Sequence, residues 1–382
     1  MKNLKYSIGI DIAKKDFKAC FIVIDESQKT TVKSTGTFAN TSNGFKAFLI
    51  WSKNHCRENL PLFFLMEATG VYHEQLAWFL YNEGRNVSII LATKAKKYFQ
   101  SLGVKSKNDK IDAKGLAQMG AEKSLPLWAP LSKNIYYLRS LTRLHEDLQN
   151  QRTLVNNQLH ANQHGMYKIK QVETTLKKLS KTLEKELVNV EQQITDLILG
   201  DEKLLCKYKK ITAVKGIGLL CFAVIVAETN GFELFNNMAQ LVSYAGYDVV
   251  ENQSGQRVGR TRISKKGNAH IRRVLHMPAF TAVKYERVFK EFYERILDRS
   301  NIKMKGYVAV QKKLLCLIYS LWKKNQAYDP DFKNRHSKAE SLDPLLVGSE
   351  RTIKKKPGTK ALASLDGHSS AFTAESSFGD TK

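Results

Sequence analysis

An α/β domain built on a mixed sheet, followed by a long helical segment and then a mostly α-helical region, is the fold class that the sequence predicts. Three observations carry it. Apolar runs at residues 6–12 and 17–24 are separated by the short polar turn AKKD; strand-like and helix-like segments then alternate as far as Pro130; and leucines at three- and four-residue spacing dominate residues 138–197.

The two opening runs read as adjacent strands of a hairpin, and the polar stretch Asp25 to Thr31 leads into a third strand near Val32 to Phe38. Ser42-Asn43-Gly44 reads as a helix start before FKAFLIWSKNHC. The apolar run LPLFFLMEATG is a buried strand, Tyr72 to Asn82 a helix and NVSIILAT a strand. Helices follow near Lys94 to Leu102 and Asn108 to Glu122. Between Ser132 and Gly200 there is no proline, and Leu138, Leu141, Leu144, Leu148, Val155 and Leu159 are answered by Leu176, Leu179, Leu183, Leu187, Val190, Ile194 and Leu197. That spacing predicts an antiparallel helical pair or coiled coil, turning back near His164-Gly165. The expected divisions are therefore 1–130 (α/β), 131–200 (helical stalk), 201–325 (mostly α) and 326–382, a polar, aperiodic tail with the composition of a disordered segment.

Sixty-one Lys and Arg against 36 Asp and Glu give a formal net charge of +25, distributed along the chain. A polyanionic partner is expected, because phosphate neutralisation and counterion release dominate nucleic-acid affinity. The five cysteines, Cys20, Cys56, Cys206, Cys221 and Cys316, are dispersed and form no CxxC or Cys/His cluster, which argues against both a disulfide framework and a zinc site. No apolar run approaches the roughly 20 residues of a membrane span, so a soluble, cytoplasmic protein is expected.

Four carboxylates stand out. Asp11 interrupts the apolar strand IGIDI, where an unpaired charge costs several kcal/mol if it stays dry. Glu67 ends the run FFLME in the same way. Asp109 and Asp112 lie three apart at the start of a helix and so share a face. Brought to one pocket, four acids repel one another, and divalent metal on oxygen ligands, Mg²⁺ for choice and as two ions, is the simplest compensation. Taken singly, each acid also reads as a turn or helix-start residue favoured by the helix dipole.

Two further features belong to the carboxyl-terminal half. In ITAVKGIGLLCFAVIVAE, two helices joined by Lys215-Gly216-Ile217-Gly218 look like a helix-hairpin-helix, whose backbone N–H groups can meet a DNA phosphate; an ordinary packing turn fits as well. Residues 241–282 hold the densest basic stretch, with Arg257, Arg260, Arg262, Lys265, Lys266, Arg272 and Arg273 punctuated by glycines. This composition predicts a loop-rich cationic surface followed by a helix from about Asn268. Ser254 lies within it, and its hydroxyl can serve as a phosphate contact or as a nucleophile.

GIDIAKKDF, MEATGVY and KNDKIDAKGLA, in that order and at those separations, resemble the DEDD motif of bacterial insertion-sequence transposases of the IS one-ten family. The resemblance extends over roughly residues 5–320 and includes QSGQRVGRTRISKKGNAHIRR, which is similar to that family's serine-bearing block. A proline and an arginine common upstream in the family are replaced here by Val249 and Val250. The resemblance implies a ribonuclease-H-like (RuvC-like) first domain binding Mg²⁺ through Asp11, Glu67, Asp109 and Asp112, and Ser254 as the hydroxyl that becomes joined to the DNA strand. It further implies target and donor DNA and a structured bridge RNA as partners. A homodimer forming a tetramer on DNA, and a bacterial, nucleoid-associated location, complete the expectation. Three other readings stand beside it: a RuvC-like nuclease that uses water, a non-catalytic nucleic-acid-binding protein, and a nucleotide-binding protein of the actin and sugar-kinase type. The last lacks the Gly-rich phosphate loops it needs.

Overall fold

The computed structural model describes residues 2–68, 70–103, 108–255, 257–259 and 261–330; the polar tail from residue 331 and Arg260 lie outside the described residues. Strands β1 (Asn3–Ile12), β2 (Asp16–Asp25) and β3 (Thr30–Ala39) form an antiparallel meander. Helix α1 (Ser42–Asn54) follows, its first turn capped by the Thr41 hydroxyl, which accepts from the Gly44 N–H. Strand β4 (Leu62–Glu67) then pairs parallel with β1. Helix α2 (Glu74–Asn82) crosses over to β5 (Asn86–Ile90), which is parallel to β4, and α3 (Ala92–Ser101) and α4 (Asp109–Glu122) complete the domain. The sheet order is β3-β2-β1-β4-β5, consistent with a DEDD nuclease-like fold.

Both faces of this sheet are covered, and the period of two along β2 shows it. Phe17, Ala19, Phe21 and Val23 join the aromatic core under α1 and α2 with Phe45, Phe48, Phe64, Leu76 and Leu80. The intervening Cys20, Ile22 and Ile24 pack on Ala113, Ala117 and Ala121 of α4.

Helices α5 (Lys133–His164) and α6 (Lys170–Leu199) are long and antiparallel. His145 bonds Glu191, Arg152 faces Glu184, Ser180 donates to Asn156 and Gln163 to Glu173, one number rising as the other falls by the same step. The turn at His164-Gly165 is where the sequence predicts it. Leu183, Leu187, Val190, Ile194 and Ile198 are buried, whereas Leu144 and Leu179, which share the leucine periodicity, are nearly half exposed.

The remaining elements are α7 (Glu202–Ile211), α8 (Leu219–Thr229), α9 (Met238–Tyr244), four two-residue strands β6 (Val249–Val250), β7 (Gln253–Ser254), β8 (Arg257–Val258) and β9 (Arg262–Ile263), then α10 (Ala269–Val274), α11 (His276–Tyr285), α12 (Arg287–Ser300) and α13 (Lys303–Lys324). Their core centres on α8, buried on all sides, and includes Ile135 and Leu138 of α5 and Ile194 and Ile198 of α6. Residues 1–328 make one compact unit. No helix among the described residues is long and apolar enough to cross a membrane.

Candidate active site

The site is built on close contact between β1 and α4. Ser7, Gly9 and Asp11 alternate onto one face of β1. A side chain on Gly9 would put its Cβ 2.1 Å from the Ala117 nitrogen and 2.2 Å from the Ala113 oxygen, and one on Gly120 would come 2.4 Å from Ser7 Oγ. The helix therefore lies directly against the strand backbone. Gly120 sits over Ser7, Ala117 and Ala113 over Gly9, and the next turn toward the amino terminus brings Asp112 and Asp109 toward Asp11. Asn108 fixes that end of the helix, its side chain accepting from Ile111 N–H at 2.9 Å. Glu67 is the last residue of β4, the parallel neighbour of β1, in which Ile10 pairs with Met66. The ends of two adjacent parallel strands and the start of α4 thus gather all four acids predicted from the sequence.

Their charges are coupled. Asp11 is pushed up to about 6, first by burial and then by the charges of Asp112, Asp109 and Glu67, partly offset by Lys18. Lys18, opposite Asp11 in the β1–β2 register, makes an ion pair with Asp109 and holds that carboxyl below its ordinary value. As the side chains stand, no three His, Cys, Asp or Glu among the described residues are close enough to hold one ion. Four carboxylates against one lysine leave a net negative, oxygen-only donor set, and a hard divalent cation suits that chemistry. Asp11, Glu67, Asp109 and Asp112 are the residues that could hold one.

The basic block folds as a β arm. Val249 and Val250 pair with Ile263 and Arg262 at its base, and Gln253 and Ser254 pair with Val258 and Arg257 toward its tip. Between the two ladders the Gly259 N–H donates to the Asn252 carbonyl at 2.7 Å. Ser254, Arg257, Arg262, Lys265 and Lys266 are exposed. Arg272 and Arg273 have partners inside the chain. Arg272 donates to the Ala245 and Asn268 carbonyls, and Arg273 pairs with Glu146 at 2.7 Å and bonds Asn150. In the α7–α8 turn Lys215 is exposed. Gly216, at φ +96°, packs against α11, where a Cβ would lie 2.9 Å from the Pro278 oxygen, while Gly218 opens α8 with nothing within 4 Å. Of the two glycines, only Gly218 has the open backbone that a phosphate contact needs.

Sequence reasoning overlooked Lys18, Gly9 and Glu228. Glu228, on α8, has a side chain only 1% exposed that accepts from Arg143 and Arg139 of α5 and from Asn268 Nδ2 at 2.7 Å. Its signal was present: a carboxylate closing the apolar run LLCFAVIVAE is the same kind of anomaly as Asp11 in IGIDI. Glu146 repeats the theme, bridging α5 to His270 and Arg273 of α10.

Comparison with known proteins gives these features a family. A model described as Transposase matches residues 8–167, and one described as Transposase IS116/IS110/IS902 family matches residues 208–294. The chain is 29% identical over 328 residues to proteins named pilin gene-inverting protein from Moraxella bovis and Moraxella lacunata, covering 85% of this chain and 98% of each relative. It is 22% identical over 357 residues to the transposase for insertion sequence element IS1111A of Coxiella burnetii, covering 86% of this chain and 92% of that protein. The chain thus belongs to the IS116/IS110/IS902 family of transposases and is an enzyme of the DNA transposase and recombinase class.

Proposed function

We propose that the protein cuts and exchanges DNA strands through a serine-linked intermediate, with the RuvC-like carboxylate site and the β arm contributing to one composite centre. The observation that supports this reading is the Asp11 carboxyl, raised by burial and then by the charges of Asp112, Asp109 and Glu67, at the end of a strand on which Gly9 lets α4 lie directly. Mg²⁺, as two ions, would supply charge neutralisation at the scissile phosphate when bound.

The chain's own groups do the rest. Asp11, Glu67, Asp109 and Asp112 would hold and orient the ions, for which Lys18 would have to release Asp109. Ser254, exposed near the tip of the arm beside Arg257, has the freedom to reach a phosphate. Its Oγ forms the bond to phosphorus as the strand's P–O bond breaks, and the serine proton is delivered to the departing oxygen. Arg257, Arg262, Lys265 and Lys266 stabilise the pentavalent state and hold the flanking phosphates. Arg260, in the same block, belongs to this set by sequence, as do the exposed Lys215 and Gly218 for more distant phosphates. Target and donor DNA, a bridge RNA, and a homodimer on the α5–α6 stalk that becomes a tetramer on DNA complete the proposal. Two halves of one centre can then come from different subunits.

The test is a covalent adduct. Purified protein with Mg²⁺, candidate DNA and RNA transcribed from the flanking non-coding DNA is expected to yield a strand joined to a peptide containing Ser254. Ser254→Ala and Asp11→Asn should each abolish it. Strand cleavage retained in Ser254→Ala would overturn the serine reading in favour of hydrolysis by water.

A further inference from the structure

A groove of about 790 Å³ opens between the base of the β arm and helices α12 and α13. Ile263, Phe292, Val308 and Cys316 form its apolar wall, and Ile302 and Met304, each 48% exposed, form its lip. Arg262, Lys305 and Lys312 line the same groove, Lys313 lies over its Phe292 ring at 4.3 Å, and no acidic side chain lines it among the described residues. An apolar cleft edged by basic side chains selects a ligand that is flat and apolar on one side and anionic on the other. A nucleic-acid strand offers that combination at each unit, a base face linked to a phosphate. The bases of a duplex are stacked and paired, so only an unpaired base can enter.

The position of the groove names the strand. Arg262 and Ile263 belong to both the groove and the β6–β9 ladder, and Ser254 lies farther out on the same arm. Four to five residues of extended chain separate the two levels, about 13–17 Å. A stacked strand covers that distance in about four or five nucleotides.

We propose that this groove holds an unpaired base of the DNA strand whose phosphate is presented to Ser254. The identity of the strand rests on the reading of Ser254 given above; the occupancy of the groove by a base does not. The full chain carrying Ser254→Ala is used, so that binding is measured with no adduct. The probes are a short single-stranded DNA, the same strand with abasic sites at every position, and the same sequence as RNA. The intact strand is expected to bind on the order of tenfold more tightly than its abasic counterpart. Substituting both lip residues, Ile302→Ser with Met304→Ser, removes apolar surface without changing charge and is expected to bring that ratio close to one.

A 5-iodouracil in the DNA strand gives a readout that needs no groove substitution. Photocrosslinks are expected in peptides spanning 287–312. An intact-to-abasic ratio near one in the parent, a ratio unchanged by the lip substitutions, or crosslinks only elsewhere would each overturn the proposal. Tighter binding of the RNA strand would overturn the assignment to DNA. A change of molar mass in light scattering with the ratio unaltered would instead make this face an interface between copies. None of these outcomes bears on whether Ser254 forms an adduct, which the test of function decides separately.

Discussion

Asp11 illustrates how a carboxylate proposed to hold metal can stand at the expense of the fold. Its carboxyl is pushed up to about 6 by burial and by three neighbouring acids, so at neutral pH the metal-free protein holds a charge that its surroundings disfavour. Asp11→Asn removes that charge and keeps the shape. In EDTA the variant is expected to be more stable than the parent by about 1–2 kcal/mol, allowing for solvent screening, seen as a raised midpoint in thermal or urea unfolding. Adding Mg²⁺ should then stabilise the parent and leave the variant unchanged, because metal affinity falls more than about 100-fold when a direct ligand is lost. A variant less stable than the parent in EDTA would show that Asp11 is a structural hydrogen-bonding group and that repulsion is not its dominant interaction.

At the scale of elements, the decisive contact is a helix laid on a strand with no side chain between them. Gly9→Ala places a methyl group against backbone atoms of Ala113 and Ala117, which cannot rotate away. Overpacking of this kind costs typically 1–3 kcal/mol. The larger consequence is geometric: α4 must move outward, carrying Asp109 and Asp112 with it, and a misplacement of about 1 Å can cost about 100-fold in rate. The expected result is a folded protein with modestly lowered stability and strand cleavage reduced by about two orders of magnitude, measured on the same preparation. Cleavage at the parental rate would mean that the start of α4 is positioned independently of β1.

This contact also marks the limit of what the sequence made legible. Hydrophobic period placed β1 to β5, α1 to α4 and the α5–α6 turn within a few residues, because each such element buries a regular face. Asp11 and Glu67 were visible as charges in apolar company, and Asp109 and Asp112 as a pair three apart at a helix start. Gly9 and the Ala-Gly face of α4 were not, since a glycine in a strand and alanines in a helix are locally unremarkable; only their meeting gives them meaning. The arm was read as loop because its strands are two residues each and are held by ladder bonds between residues as far apart as Val249 and Ile263. Arg272 and Arg273 read as phosphate contacts for a similar reason: their partners, Ala245 and Glu146, are 27 and 127 positions away.

Across the whole molecule, the long helix α5, the central helix α8 and the segment behind the β arm are tied together at one buried carboxylate. Glu228 accepts from Arg139 and Arg143 on one side and from Asn268, which caps α10, on the other. Burial alone would raise its carboxyl; the Arg143 hydrogen bond and the Arg139 charge outweigh it and leave the group below its ordinary value of 4.5. A carboxyl lowered by folding contributes stability that is fully present above 4.5 and is lost as the pH falls through the folded value. Replacing it leaves two partly exposed arginines facing a neutral group, and losing hydrogen bonds to a charged group of this kind costs about 1.5–3 kcal/mol. Glu228→Gln is therefore expected to be destabilised by about that amount at pH 7, with urea midpoints as the measure. The gap between parent and variant should narrow as the pH is lowered below 4.5, because the parent loses the same charge by protonation. The position of Asn268 depends on this pair, so the variant should also lose DNA affinity at pH 7 although Glu228 faces no phosphate. A stability gap that stays constant into acid would assign the loss to packing around α8 and remove the carboxylate from the account of how the arm is held.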